Sequence, residues 1–370
     1  MALFVLIFLT VYGGLNSYVY FTIASGLGSH SSAIALVLLF LVFSPIILRF
    51  SEGRVPKIIS TALAWVGYNW MGVSLLFVSI ALVIDIAQLF LAELSQSEAL
   101  LLVSSITLIA SVYGFLESRC VRIRFLKVQS PKLDGGTDRP FRIVQVSDLH
   151  LGYGTLPGQV RGVVEKVKDL RPDLLVSTGD LFDTDLENLA DYVDQLKTIR
   201  PPGGKIAVSG NHEVYAGLEQ ALKLTEESGF KVLRSESIKA EPGLFIAGVD
   251  DPEALNGIPE EAEEEVLRNI PESAFIILLK HRPRISSSTV DSFDLQLSGH
   301  THGGQIFPFI LMTWLQYKIR HGLTKIANQT YIYLSRGTGS WGPQMRVFAP
   351  PEITVFDLSH GEKYLIEKMH

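Results

Sequence analysis

Five short runs of β-forming residues in the later part of the chain each stop at residues able to bind a metal ion. Arg142–Val146 leads into Ser147-Asp148-Leu149-His150, Leu174–Ser177 into Gly179-Asp180, and Ile206–Val208 into Gly210-Asn211-His212-Glu213. Phe275–Leu279 leads into His281, and Leu295–Leu297 into Gly299-His300-Thr301-His302. Carboxylates, imidazoles and an amide oxygen form a mixed N/O donor set, suited to Mn²⁺, Fe or Zn²⁺ and unlike the thiolate sets that select softer metals. At least seven donors are on offer, more than one ion takes, so two divalent ions sharing a carboxylate are implied. Two ions about 3.5–4 Å apart activate a water and clamp the attacking and leaving oxygens of a phosphoryl displacement. The expected chemistry is hydrolysis of a phosphate ester or anhydride.

Such donors need elements that bring them together. Between the β runs, Gly158–Asp169, Leu186–Thr198 and Leu218–Ser228 read as helices, and the alternation predicts α/β architecture. In open α/β sheets ligands bind beyond the carboxyl ends of the strands, which is where all five motifs lie. A lone Asp after a strand usually caps a helix; five such ends together ask for a common purpose. Gly179, Gly210 and Gly299 are expected to let the backbone turn sharply beside the ligands. Five of the nine histidines fall in these motifs, and His30, His321, His360 and His370 are expected at surfaces or interfaces. A further strand is expected near Val121–Val128, followed by a loop over Ser130–Pro140 that contains Gly135-Gly136.

The first third is different in kind. Residues 1–118 hold three basic residues (Arg49, Arg54, Lys57) and five acidic ones (Glu52, Asp85, Glu93, Glu98, Glu117). Four apolar runs, Leu3–Ala24, Ala33–Leu48, Thr61–Ile84 and Ala99–Leu116, approach the roughly 20 residues of a bilayer span. The first has no basic leader and no clear cleavage site, so it reads as a retained helix, not a signal peptide. Basic residues cluster in Arg49–Lys57 and again at Arg119, Arg122, Arg124 and Lys127, whereas Ser25–Ser32 and Gln88–Glu98 have none. The positive-inside rule then predicts a multi-pass protein with both termini and the later domain in the cytoplasm. Asn69 reads as an interhelical hydrogen-bonding residue, and with Asp85 at a helix end the spans look like an anchor rather than a transporter. The expected division is a membrane domain over 1–118 and a soluble domain over 119–370. An apolar content of 47% rules out a disordered chain, and a net charge of −6 argues against a nucleic-acid polymer as partner. The single Cys120 excludes an internal disulfide and reads as a bland juxtamembrane residue.

The motifs, in this order, resemble the calcineurin-like metallophosphoesterases across about residues 120–370. Gly303-Gly304-Gln305 and the tail Arg346…Pro350-Pro351-Glu352-Ile353-Thr354 are similar to a bacterial branch with membrane-anchored members. The resemblance implies a four-layer αββα sandwich with a dinuclear metal site. Carried over by position, Asp148, His150, Asp180 and His302 would hold one ion, and Asp180, Asn211, His281 and His300 the other, with Asp180 the bridge. His212 would not be a ligand but would stabilise the transition state or protonate the leaving oxygen, a role suited to imidazole. Glu213 stands where many relatives have Asp, a change expected to preserve activity. Arg282 is expected either to touch substrate phosphate or to form surface salt bridges. The apolar stretch Ile306–Leu315, following His302, is expected either to pack as a core helix or to meet an acyl chain or lipid. Some membrane-linked relatives cleave the pyrophosphate of an acylated UDP-sugar, so the substrate would be a phosphorylated small molecule or a lipid-linked compound. The alternative is a non-catalytic membrane scaffold using the phosphoesterase fold as a binding module; lost ligands would mark it, yet every motif position here is filled.

Overall fold

The computed structural model describes residues 2–369 apart from 52–54, 91–93, 135–138, 153, 184–185, 187–188 and 256–257. Arg54, Gly135-Gly136, His370 and part of the expected Leu186–Thr198 helix therefore lie outside the described residues.

The apolar runs form α1 (Ala2–Leu27), α2 (Ser32–Ser51), α3 (Lys57–Gln88) and α4 (Gln96–Glu117). Leu6–Leu27, Ile58–Gln88 and Gln96–Glu117 are long and apolar enough to cross a membrane, whereas the apolar stretch of α2, Ser32–Leu48, is shorter. Pro45 lies inside α2. These helices meet through Val19, Leu38, Phe77, Ala81 and Val103. Gly67 lets α2 and α3 approach, since a Cβ there would stand 2.3 Å from Ser44 Oγ. Trp70 Nε1 donates to Asn16 Oδ1 at 2.8 Å between α3 and α1, and at a more exposed point Tyr18 donates to the Asp85 carboxylate. Asn69 departs from its expected interhelical bond. It donates to Trp65 O in its own helix and accepts from the backbone N–H of Gln344 at 2.8 Å.

That last bond reflects an arrangement the sequence does not announce. Ile306–Pro308 and Gly342–Phe348 belong to the same compact unit as residues 1–118, and the rest of the chain forms a second. Ile306, Met345 and Val347 bury against Leu76, and Arg346 N donates to Gly114 O at 2.9 Å. Gly72 and Gly114 make the room: a Cβ on Gly72 would lie 2.7 Å from Met345 Sδ, and one on Gly114 3.0 Å from Val347 Cγ2.

The second unit is built on two mixed sheets. The first contains β1 (Arg122–Ser130), β2 (Phe141–Val146), β3 (Leu174–Ser177), β4 (Lys205–Ala207), β5 (Lys231–Val232), β12 (Glu352–His360) and β13 (Leu365–Lys368), in the order β13-β1-β12-β2-β3-β4-β5. The second contains β6 (Glu236–Glu241), β7 (Leu244–Val249), β8 (Phe275–Lys280), β9 (Leu295–Ser298), β10 (Gly322–Lys325) and β11 (Tyr331–Leu334), in the order β10-β11-β9-β8-β7-β6. Their helices are α5 (Pro157–Asp169), α6 (Ala190–Lys197), α7 (Asn211–Glu227), α8 (Pro259–Arg268) and α9 (Ile310–Tyr317).

Alternation along the strands sorts side chains into layers. Ile143, Leu174 and Ile206 face Ile246, Ile277 and Leu297 of the other sheet in a central core. Their neighbours Val144, Leu175 and Ala207 pack outward with Val160, Val164 and Leu196 of α5 and α6. On the far side, Ile276 and Leu278 meet Val266 and Leu267 of α8. Helix, sheet, sheet, helix is the expected αββα sandwich. Strands β2, β3 and β4 are mutually parallel, as are β7, β8 and β9, so within each sheet these carboxyl ends point one way. The Gly210–Glu213 motif starts α7 rather than a loop, and Gly217 (φ 109°) breaks that helix just before the predicted start at Leu218. The Ile306–Leu315 stretch is not a core helix: Ile306 is buried in the first unit, and no residue of α9 is buried.

Candidate metal centre

The loops after β2 and β3 lie zipped together. Asp148 N donates to Gly179 O, His150 N to Asp180 O, Leu151 N to Leu181 O, and Asp183 N to Leu151 O, all near 3.0 Å. Glu213 ties this pair to the third loop. Its Oε2 accepts from Asp180 N (3.0 Å) and Gly210 N (2.8 Å), and its Oε1 from Leu181 N (2.7 Å) and Phe182 N (3.2 Å). Thus Glu213 is a buried brace of the loops, a role its place in the motif does not reveal.

These loops bring all eight predicted residues into one cluster. Three overlapping groups have ligand atoms within 4.8 Å of one another: Asp148, His150 and His302; His150, Asp180 and His212; Asp180, His281 and His300. Asn211 joins the last through Oδ1, 3.2 Å from His281 Nε2. The donor chemistry fits cations. His281 Nδ1 lies 2.8 Å from Thr178 O, a contact that needs the ring proton on Nδ1. Nε2 then faces Asp180 Oδ2 at 3.1 Å, Asn211 Oδ1 at 3.2 Å and His300 Nδ1 at 3.2 Å. One ring proton cannot satisfy three such neighbours, whereas a shared cation can. His150 Nε2 and His302 Nε2 make the same point at 3.0 Å. Asp148 is oriented by the N–H of His300 (2.8 Å) and by Ser147 Oγ (2.5 Å).

The glycines act mainly through space. A Cβ on Gly210 would lie 2.2 Å from Asp180 Oδ1, and one on Gly299 2.0 Å from Ser147 Oγ and 2.2 Å from Asp148 Oδ2. Only Gly179 of the three also has the positive φ (93°) that the sharp-turn reading expects. The backbone strain sits instead on Asp148, His150, Asp180, His300 and His302, with φ between 48° and 71°. Asp and His are among the few side chains that tolerate this region.

Electrostatics follow from burial and proximity. Burial raises the Asp148 carboxyl. Burial would raise Asp180 too, but the imidazoles of His281 and His212 outweigh it and hold the carboxyl well below the usual range. Burial disfavours charge on His281 and His212, yet Asp180 beside the first and Asp183 beside the second raise them to about 10 and about 9. Burial, with the charge of His281, pushes His300 down to about 3.

Asp183 is the functional residue that sequence reasoning missed. Its Oδ1 is 2.9 Å from His212 Nδ1, a hydrogen bond that orients that ring, and its Oδ2 lies at ion-pair distance, 3.5 Å, from His150 Nδ1. An Asp three residues beyond Asp180, in the same strand-end loop, was the available signal. Around His212 stand the rings of Tyr215 and Trp341 at 5.4 and 5.5 Å, and Tyr317 meets His300 at 5.7 Å. Arg282 resolves in favour of salt bridging: it binds Asp251 at 2.8 and 3.1 Å and Glu253 at 2.6 Å. His30 packs beside Tyr20, and His360 bonds Leu133 O.

Comparison with known proteins agrees with this architecture. Residues 141–304 match the family described as calcineurin-like phosphoesterase. An uncharacterized metallophosphoesterase of Aquifex aeolicus is 38% identical over 254 residues, covering 68% of this chain and 96% of that protein. One from Campylobacter jejuni is 35% identical over 272 residues, 72% of this chain and 70% of the relative. A zebrafish protein described as a transmembrane protein with metallophosphoesterase domain is 30% identical over 263 residues, 67% of this chain and 60% of its own length. Similarity over nearly the whole of the Aquifex protein decides the family: the chain belongs to the calcineurin-like metallophosphoesterases, dinuclear-metal hydrolases of phosphoester bonds.

Proposed function

We propose that the chain is a multi-pass membrane protein, residues 1–118 forming its membrane domain and 119–370 its catalytic domain, that hydrolyses a phosphodiester or pyrophosphate bond. The supporting observation is the set of three donor groups, buried except for the half-buried His300, that overlap at Asp180 and His150. One ion would be held by Asp148, His150, Asp180 and His302, the other by Asp180, Asn211, His281 and His300. Mn²⁺, Fe and Zn²⁺ all suit these donors. Two such ions, when bound, activate the attacking water and neutralise charge on the phosphoryl oxygens. The chain's own residues do the rest. Thr178 O fixes the His281 tautomer so that Nε2 is the ligand atom. Asp183 holds His212 Nδ1, which leaves Nε2 to carry a proton to the leaving oxygen, and the Asp183 carboxylate beside the ring favours its protonated form.

The apolar helices, and the zebrafish relative described as a transmembrane protein, support a membrane location. The basic residues at Arg49–Lys57 and Arg119–Lys127 favour a cytoplasmic catalytic domain. A lipid-linked phosphoester or acylated UDP-sugar is the substrate class we favour. It is supported by α9, whose apolar residues are exposed while its Tyr317 walls the site beside His300.

The test is phosphate or nucleotide release by detergent-solubilised full-length protein with Mn²⁺, using an aryl phosphodiester, a nucleotide pyrophosphate and an acylated UDP-sugar. Asp180→Asn is expected to abolish turnover and weaken binding of both ions. Preference for the acylated compound would support the lipid reading. Absence of both turnover and bound metal would favour the scaffold.

A further inference from the structure

Helix α9 is patterned inside out. Ile310, Thr313 and Tyr317, spaced three and four apart, take the half-buried positions. Leu311, Met312, Trp314 and Leu315 point outward, Leu315 with 63% of its surface exposed, and Phe309 just ahead of the helix is exposed as well. A water-facing helix carries polar residues on that side, and a contiguous apolar surface of this kind marks a binding face.

Cations gather directly after it. Lys318 closes α9 in a left-handed conformation (φ 56°), and Arg320 and His321 follow before β10. Arg124 of β1 and Arg336 after β11 both approach the single acid Glu352, at 3.9 and 3.7 Å. Lys368 of β13 reaches Gly322, where a Cβ would stand 3.2 Å from its Nζ. Burial, then the charges of Arg336, Lys368, Arg124 and Arg320, push the half-buried His321 down to about 4, so the local field is positive. The sequence agrees: between Asp294 and Glu352 there is no acidic residue, in a chain of net charge −6.

We propose that α9 lies in the headgroup layer of a bilayer, its apolar side chains among the upper acyl segments and the neighbouring Lys318, Arg320, Arg124 and Lys368 holding anionic phospholipid headgroups. An exposed apolar helix face with flanking cations is the chemistry of interfacial binding. Two observations favour lipid over a protein partner. The chain already carries helices fit to enter a bilayer, and Ile306–Pro308, which ends one residue before Phe309, belongs to the unit those helices form. The acid-free stretch is complementary to anionic headgroups and would be equally so to an acidic protein surface, which the experiment separates. The proposal does not depend on which bond the metal centre cleaves.

The test uses full-length protein in nanodiscs of phosphatidylcholine with phosphatidylglycerol. After Cys120→Ser removes the only cysteine, an environment-sensitive fluorophore is attached at Leu315→Cys, at Met312→Cys as a second position, and at Glu265→Cys on α8 as control. Nitroxide placed high on the acyl chains is expected to quench the labels at 315 and 312 about threefold or more beyond the label at 265. Replacing phosphatidylglycerol by phosphatidylcholine, or introducing Lys318→Glu with Arg320→Glu, is expected to reduce that quenching. Equal quenching at 315, 312 and 265 would overturn the proposal. So would labels at 315 and 312 that are shielded from aqueous iodide yet untouched by lipid nitroxide, because a protein surface or a second copy would then cover the helix.

Discussion

Glu213 offers a test whose size can be worked out from four bonds. Each carboxylate oxygen accepts two backbone N–H groups, Asp180 and Gly210 on one and Leu181 and Phe182 on the other. In Glu213→Gln the side chain keeps its length, but one oxygen becomes an NH₂ that confronts two donors. Two buried N–H groups lose their acceptor, at about 1–3 kcal/mol each, or roughly 2–6 kcal/mol in all. Glu213→Asp keeps both oxygens but falls one methylene short, so it is expected to lie between wild type and the amide. Native-state hydrogen exchange of the amides of residues 180, 181, 182 and 210 reads this directly, because each 1.4 kcal/mol of easier opening is a factor of ten. Exchange at these four positions should accelerate by about 30-fold or more in Glu213→Gln, while amides of β8 stay protected. Metal affinity should fall with it, since Asp180 rides on the braced loop. If the four amides exchange within about twofold of wild type, the carboxylate brace is refuted. Burial pushes the Glu213 carboxyl up, so an unchanged rate would also indicate that the neutral acid, which the amide mimics, is the native form.

Other outcomes follow from the same geometry. His212→Ala should retain both ions by elemental analysis and lose about 10²- to 10⁴-fold in turnover; equal loss of metal would make this imidazole structural. Gly210→Ala places a methyl 2.2 Å from Asp180 Oδ1, and a thermal melt with a metal titration should show about 1–3 kcal/mol of lost stability and weaker binding. His281, raised to about 10 by Asp180 despite its burial, holds a proton at neutral pH that an ion must displace. Apparent metal affinity should therefore rise up to about tenfold per pH unit toward pH 10, with proton release measurable by calorimetry in buffers of different ionisation enthalpy. The opposite trend holds for the metal-free fold. The His281 proton stabilises it fully below pH 6.5, and this contribution is lost as pH rises through about 10.

What the sequence made legible was the part written locally. Each of the five β runs is short, apolar and closed by a ligand-type residue, so strand and motif identify one another. The strand predicted at Leu174–Ser177 is reproduced residue for residue. The buried polar scaffold was legible only in part: Glu213 reaches Gly210 N three residues back, but Asp180, Leu181 and Phe182, and the His212 ring held by Asp183, come near only by folding. Ile306 and Met345 were equally silent, since two apolar side chains in irregular segments carry no period that points to α3 and α4. For α9 the composition was plain but its direction was not: Leu311, Met312, Trp314 and Leu315 read the same facing a core or facing outward, and only Ile310, Thr313 and Tyr317 turning inward decides it.

The left-handed backbone at the cluster has a consequence for how such a protein can change. Asp148, His150, Asp180, His300 and His302 each hold a conformation that costs an ordinary residue about 1–2 kcal/mol. Asp and His tolerate this region better than most, yet even a smaller cost at five positions is a sizeable share of the net stability of a domain. Glycine would relieve the strain at any of these positions, so the cheapest local repairs of the fold are also the ones that strip donors from the cluster. Screening for thermal tolerance alone should accordingly enrich glycine at these five sites, whereas screening with a chelatable metal present should reject it.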